Sequence, residues 1–334
     1  MKNQTLVFVV AGYKGIGLGH AYRVLDLYRS IHGLNKTIIC TQDSYRAYSL
    51  FKRNKVAHVL LVRKNEKIFD LIDKIQPLAI INDVLNTERD YIERLKSCQA
   101  RVINFEDLGA GGDSADLTIN AIYQGASSDK MLYGHEYMDL RDEFVVARRG
   151  RVNQSVKNIL ITFGGEDSNN LTERVLRLVA KCELLRKKTY QILVGPAYGY
   201  QDSIRKFIQQ AALKAEIIST SAPAEQMLKA DMAISSNGRT PFELAALGVP
   251  AVVISANARE TSHRFHEQAS FIHCGLDHEI GDEEIADKIR QLSESFDRRQ
   301  KIRERLDGLD LGNSKRRLLD KIHHAIYQPT AEAA

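Results

Sequence analysis

The chain of 334 residues has no tryptophan, only four cysteines and no apolar run long enough to cross a bilayer. Each absence excludes something. The longest apolar run near the start, Leu6 to Ala11, is far short of the ~20 residues a membrane helix needs, and it lacks the flanks of a signal peptide. A cytoplasmic protein without an integral membrane segment is expected. Cys40, Cys98, Cys182 and Cys274 are far apart, and none belongs to a C-x-x-C pair. That spacing excludes a disulfide framework or zinc knuckle and predicts reduced, mostly buried thiols. Neither D-x-D nor H-E-x-x-H occurs, so neither a metal nor another cofactor is expected. The aromatics do not gather into a base-stacking platform, and nucleic acid is not an expected partner.

Charge of one sign is also scarce. Lysine and arginine number 47 against 42 acids, a net +5. The basic residues of Arg298-Arg299-Gln300-Lys301-Ile302-Arg303-Glu304-Arg305 read as a solvated helix face. A modest positive bias suits an anionic substrate such as a sugar diphosphate. Nothing in the pattern reports oligomeric state.

Hydrophobic content of 44% and charged content of 27% are those of a globular protein. The length suggests two domains. Strands are predicted over 5–11, 37–40, 56–62, 78–82, 101–105 and 117–120, with helices between them. A polar stretch over 143–156 interrupts the alternation, which restarts with strands over 156–163, 190–194, 216–219, 232–235 and 251–254. From 281 the chain reads as charged helix. The prediction is an α/β protein of two doubly wound parallel-sheet domains, 1–152 and 153–330, facing across a cleft, with a helical C-terminal segment. Ligands of such sheets bind beyond the carboxyl ends of the strands, at the switch points.

The candidate residues fall at those ends. Gly12, Gly15, Gly17 and Gly19 follow the first strand and open a helix that begins with His20, with Arg23 one turn on. Glycines let the backbone approach a ligand, and a helix start favours negative charge. The spacing partly fits a dinucleotide fingerprint, but the second strand ends Ile38-Ile39-Cys40-Thr41 without the ribose-binding acid. His20 is either a general acid or base near neutral pH or a helix cap. Asp83, with Asn82, ends the fourth strand and is placed either to meet substrate hydroxyls or to cap the next helix. Glu106-Asp107, followed by Gly109, Gly111 and Gly112, reads as loop structure.

In the second half, Phe163-Gly164-Gly165-Glu166-Asp167 follows the first strand, and its paired glycines suit a phosphate. Ser235-Ser236-Asn237-Gly238-Arg239-Thr240-Pro241-Phe242-Glu243 carries a strand end into a helix with proline in its first turn. Free N–H groups there suit a diphosphate. Glu243 is placed either to take vicinal ribose hydroxyls or to satisfy the helix dipole. Asn257-Ala258-Arg259-Glu260-Thr261-Ser262-His263 follows the next strand, and Arg259, Glu260 and His263 are candidate substrate contacts. His266, His273, His323 and His324 read as surface or packing residues.

These pieces, in order, resemble one family. Gly17-Leu18-Gly19-His20-Ala21-Tyr22-Arg23, Phe105-Glu106-Asp107-Leu108, Ala115-Asp116-Leu117-Thr118-Ile119-Asn120, Tyr133-Gly134-His135-Glu136-Tyr137, Leu140-Arg141-Asp142-Glu143-Phe144, Phe163 to Asp167 and Gly238 to Pro250 together resemble the GT-B-type UDP-sugar hydrolases of pseudaminic acid biosynthesis and the related spore-coat polysaccharide proteins. More distantly they are similar to the N-acetylglucosaminyltransferase of the peptidoglycan lipid intermediate. The resemblance implies that the second domain binds the nucleotide, with Glu243 on the ribose and the Gly238–Thr240 turn on the diphosphate. It implies that His20 acts at the sugar and that no metal is needed. Asn257-Ala258-Arg259-Glu260 replaces the family's usual Asn-Gln pair, and Asn237-Gly238-Arg239 a run of small residues. The first expectation is a nucleotide-sugar hydrolase serving nonulosonate or surface-polysaccharide synthesis, with His20 activating water. The alternative is a glycosyltransferase in which His20 deprotonates an acceptor hydroxyl. A third reading is a non-catalytic sugar-nucleotide-binding protein.

Overall fold

The computed structural model describes residues 4–12, 18–147 and 150–327. Two compact units emerge, Met1–Asp139 with Asn313–Ala334, and Leu140–Gly312. Each is built on one sheet. The first holds β1 (Thr5–Val10), β2 (Asn35–Cys40), β3 (Val59–Leu61), β4 (Ala79–Asp83), β5 (Arg101–Phe105), β6 (Leu117–Asn120) and β7 (Met131–Tyr133), in the order β3-β2-β1-β4-β5-β6-β7. The second holds β8 (Asn158–Thr162), β9 (Thr189–Leu193), β10 (Lys214–Ile218), β11 (Met232–Ser236), β12 (Ala251–Ser255) and β13 (Ile272–Leu276), in the order β10-β9-β8-β11-β12-β13. All these pairings are parallel.

The alternating strands and helices follow from burial. Every residue of β1, β4, β11 and β12 is buried, because helices cover both sheet faces and leave no polar alternation. The helix Glu66–Ile75 turns Ile68 and Ile72, one turn apart, onto Val7, Val9, Ile39 and Ile80. In the second unit the helix Thr240–Leu247 is buried at every residue except Glu243. Phe242 stacks on Phe265 with ring centroids 3.9 Å apart.

The structure corrects the expected division at 152/153. The boundary falls at 139/140, and 313–334 belongs to the first unit. Polarity over 143–156 suggested a linker, but Phe144 within it is fully buried, and its short helix Asp142–Val145 packs against Thr240–Leu247. Burying one phenylalanine is worth about 1.5–3 kcal/mol, enough to commit a short polar segment. The last helix, Ser314–Tyr327, packs on β5 and on the turn His135–Tyr137, and Lys315 reaches Asp26 at 2.9 Å. Arg299, read as part of a solvated face, is fully buried. Its guanidinium donates to the carbonyls of Leu292 and Ser293 at 2.8 Å and of Asn153 and Gln154 at 3.1 and 3.0 Å. β7 and β13 went unpredicted. β7 has only three residues, and β13 carries Gly275 and a histidine, so neither shows the apolar run of the other strands.

Both sheets reverse direction of growth at an inner strand pair. In the first unit the switch lies between β1 and β4, with Val10 beside Asp83. In the second it lies between β8 and β11, with Thr162 beside Ser235. A crevice opens beyond the carboxyl ends of such a pair because the connecting helices leave on opposite faces.

Candidate active site

At the switch of the first unit, β4 delivers Asp83 and the helix Gly19–Ser30 delivers His20 and Arg23. All three are buried. His20 Nδ1 and Asp83 Oδ1 make a short contact. Arg23 donates from Nε to Asp83 Oδ2 and from Nη2 to Asp83 Oδ1, both at 2.7 Å. Its Nη1 donates to Glu106 Oε1, with Asp139 Oδ1 at 4.0 Å. The guanidinium carbon is 4.9 Å from the centre of the Phe105 ring. Burial works to raise the Asp83 pKa, but the Arg23 charge and the hydrogen bonds from His20 and Arg23 outweigh it and hold the carboxyl below its usual value. Burial likewise opposes the Arg23 charge, and Asp83, Glu106 and Asp139 overcome it, so Arg23 stays a cation. A carboxylate bound to Nδ1 orients the ring and fixes a proton on that nitrogen. Nε2 is then the atom able to take a proton from a hydroxyl.

A second buried shell supports this one. Asp107 accepts from the N–H groups of Thr87 and Gly109 at 3.0 and 2.8 Å and from the Thr87 hydroxyl at 2.5 Å. It also takes a bond from Asn104 at 2.7 Å. Asn104 in turn accepts from Asn82 at 3.1 Å. Consecutive strand ends are thereby locked together. Val84, next in the chain to Asp83, lines a cavity of about 600 Å³ together with Ala11, Thr41, Tyr91, Asp43 and Glu88, and no lysine or arginine lines it among the described residues.

At the switch of the second unit the main chain dominates. Gly164, at φ +80°, turns the chain after β8, and Asp167 caps the following helix by accepting from the N–H groups of Leu171 and Thr172 at 2.8 and 2.9 Å. A side chain at Gly164 or Gly165 would meet open space. After β11, the helix Thr240–Leu247 begins without a side-chain cap. Glu243, half-buried, lies in its first turn. The turns after β11 and β12 are fastened together. Glu260 Oε2 accepts from the N–H groups of Asn237 and Ala256 at 3.2 and 2.8 Å. Asn237 Nδ2 donates to the carbonyls of Glu260 and His263 at 2.8 and 2.9 Å, and His263 Nδ1 lies 2.9 Å from the Asn237 carbonyl. A Cβ on Gly238 would sit 3.1 Å from Glu260 Oε1.

Several expectations change. Arg23, expected to bind substrate, is 2% exposed and bound to protein carboxylates; it is a positioning residue. Asn237 and His263, also expected to touch substrate, are buried and fasten the two turns. Thr240 is buried as the first residue of its helix. Gly19 starts its helix, whereas Gly17 lies outside the described residues. Gly164, Gly165, Gly238, Arg239, Glu243, Arg259 and Glu260 all retain exposure at the carboxyl edge of the second sheet. Asp83 is neither a helix cap nor a lone hydroxyl ligand but the partner of His20. Glu106 and Asp139 were missed. The available signal was two carboxylates, Asp83 and Glu106, at the ends of neighbouring parallel strands, with an arginine on the facing helix.

Two parallel-sheet units with a helical C-terminal part constitute a GT-B-type fold. Residues 158–317 match the glycosyltransferase family 28 C-terminal domain. Spore coat polysaccharide biosynthesis protein SpsG of Bacillus subtilis is 24% identical over 305 residues, 87% of this chain and 89% of that protein. The uncharacterized protein MJ1062 of Methanocaldococcus jannaschii is 28% identical over 275 residues, 75% of this chain, and the match spans only 56% of that protein's length. Among solved structures, MurG of Acinetobacter baumannii superposes with a TM-score of 0.68 at 13% identity, covering 96% of this chain and 99% of that one. The UDP-GlcNAc 2-epimerase of Neisseria meningitidis, bound to UDP-GlcNAc, does so with 0.58 at 12% identity, covering 96% and 99%.

Proposed function

We propose that the protein is a glycosyltransferase that moves a sugar from a nucleotide donor, of the UDP-sugar type, to an acceptor hydroxyl in surface-polysaccharide synthesis. The observation that carries this reading is the buried His20–Asp83 pair at the carboxyl end of β4, next to Val84 of a cavity lined by no basic residue among the described ones, in a chain whose residues 158–317 match a glycosyltransferase domain. Hydrolysis, the first expectation from sequence, needs no room for an acceptor. The match to a transferase domain and the relative named for polysaccharide biosynthesis favour transfer. The bound UDP-GlcNAc in a structure of similar fold supports the donor class.

In this mechanism His20 Nε2 takes the proton of the acceptor hydroxyl as its oxygen attacks the anomeric carbon. The carbon–oxygen bond to the diphosphate breaks, and the nucleoside diphosphate leaves with the bonding pair. Asp83 holds the imidazole in place and stabilises its cation, and Arg23 keeps Asp83 ionised. The Gly164–Gly165 turn and the uncapped start of Thr240–Leu247 offer N–H groups to the diphosphate. Glu243 takes the ribose hydroxyls, and Gly238, Arg239, Arg259 and Glu260 flank the nucleotide and its sugar.

The deciding experiment incubates purified protein with UDP-GlcNAc and other UDP-sugars, with and without a panel of amino-sugar, hexose and lipid-linked acceptors, and measures UDP release. Release that requires an acceptor, with a matching glycoside product, is expected. Equal release without any acceptor would replace transfer by hydrolysis. UDP-sugar binding without release under any condition would leave the non-catalytic reading.

A further inference from the structure

The cavity of the first unit opens where β1, β2 and β4 end, at Ala11, Thr41 and Val84. The Ala11 N–H donates to the Asp83 carbonyl at 3.1 Å, so its wall is tied to the residue that holds His20. Asp43, Glu66 and Glu88 line it, and no lysine or arginine does among the described residues. None of the three carboxylates forms an ion pair or a side-chain hydrogen bond with those residues. Nearby cations are engaged elsewhere or stand outside: Lys67 pairs with Asp70 at 2.9 Å, Arg94 with Asp73 at 3.1 Å, and the exposed Lys64 and Arg89 line no part of the cavity. Two aromatic rings, Phe69 and Tyr91, complete the wall. Tyr91 is fixed by its hydroxyl, which donates to Asn82 Oδ1 at 3.0 Å, and by its ring, which meets that of Phe69 edge-on with centroids 5.6 Å apart. Asn65 and Asn86 each accept a main-chain N–H, of Gln42 and Leu108, at 2.9 Å through the side-chain carbonyl, which leaves their amide nitrogens to donate.

We infer that this cavity selects an acceptor sugar bearing a free amino group, taken as its ammonium ion. The inference rests on the transferase reading and names the substrate class of its acceptor side. An ammonium entering the cavity meets carboxylates that have no counter-charge and aromatic rings whose faces attract cations. Exclusion works in the same direction, because a uronic acid or a sugar phosphate brings a like charge. The amide nitrogens of Asn65 and Asn86 and the acids themselves suit the ring hydroxyls. The volume of about 600 Å³ is that of a small-molecule site. An ammonium nitrogen has no lone pair, so it anchors the sugar and does not react. A hydroxyl of the same sugar remains the nucleophile, and its proton goes to His20 Nε2.

The test is binding of glucosamine, N-acetylglucosamine and glucuronate, which share a ring and differ in charge, to the whole chain with UDP present. Ligand-observed magnetic resonance reads the affinities at low and high salt. Glucosamine is expected to bind about tenfold more tightly than N-acetylglucosamine, with glucuronate weaker still, and the difference to shrink at high salt. D43N/E66Q/E88Q is expected to erase the preference while its circular dichroism stays that of the wild type. Tyr91→Leu is expected to narrow it about two- to fivefold. Equal binding of the three sugars, a preference for the acetylated or anionic one, or a glucosamine preference that survives D43N/E66Q/E88Q would overturn the inference. So would the absence of binding by glucosamine, galactosamine and mannosamine alike. Binding is read without turnover, so the two readings fail separately. UDP release without any acceptor removes transfer and leaves the amine preference standing, whereas equal sugar binding removes the preference and leaves acceptor-dependent release.

Discussion

The two switch points use the same sheet geometry in opposite ways. In the first unit the carboxyl edge is filled by charged side chains: Arg23 bridges Asp83 and Glu106, and Asp83 grips His20. In the second the edge is made of turns, with Gly164 at positive φ, an uncapped helix start and two loops tied by Asn237 and Glu260. Buried charges are costly to assemble and rigid once paired, which suits a group that must transfer a proton in one geometry. Turns that expose N–H groups are cheap and neutral, and suit a ligand that brings its own charge. In the proposed mechanism chemistry falls to the first unit and nucleotide binding to the second, and each prediction below separates the two.

The largest effect is expected at His20. His20→Ala should lower kcat by about 10²–10⁴, the usual share of general base catalysis, while UDP affinity measured by calorimetry stays that of the wild type. A variant that turns over normally would remove the catalytic assignment. One that loses UDP affinity in proportion would break the division between the units.

Next is Arg23→Leu. It strips the cation from three carboxylates in a buried site, and breaking such a pairing costs about 3–5 kcal/mol. A clear drop in melting temperature with loss of turnover is expected. If Arg23 contacted substrate instead of Asp83, the loss would appear in KM with stability intact.

Glu243→Ala should act in the other unit and on the other parameter. A bond from ribose hydroxyls to a charged group is worth about 1.5–3 kcal/mol, so UDP affinity should fall about 10–100-fold while kcat at saturating donor changes little. Equal affinity for the wild type and the variant would leave Glu243 as a helix-dipole residue.

What was legible in advance follows the same division. Continuous apolar strands such as Leu6 to Val10 and Val252 to Ile254 announce a parallel sheet because burial on both faces leaves a run. Glycine turns at strand ends are local, and Gly164 and Gly238 sit where the spacing put them. The His20–Asp83 pairing was not legible as a pair. Sixty-three positions separate the two residues, and only the placement of β4 beside β1 makes them neighbours. The same long-range closure turned Arg23 and Asn237 from ligand-facing candidates into internal fasteners. The return of 313–334 to the first unit had no local signature either, because the last helix carries an ordinary amphipathic pattern that fits any apolar sheet face.

The smallest effect concerns acid, and it separates the units by pH window. His273 in the second unit has a pKa lowered to about 4, first by burial and then by the His266 ring and the Lys288 charge. Its Nε2 lies 2.9 Å from the Ser255 hydroxyl, and its ring centroid is 4.2 Å from that of His266. Above its ordinary value near 6.5 the group is neutral in both the folded and unfolded chain. As pH falls from there toward about 4, the unfolded chain takes up a proton that the folded chain refuses, so stability declines through this window and the histidine's share levels off below it. Asp83 in the first unit has a lowered pKa. Its contribution is fully present above the usual carboxylate value of about 3.9 and is lost only as pH falls below that. Thermal melting followed from pH 7 to pH 4 should therefore show a decline set by the second unit, and His273→Gln should flatten it without altering the steeper loss in stronger acid. An unchanged slope in the variant would show that the half-buried histidine pair does not govern this window.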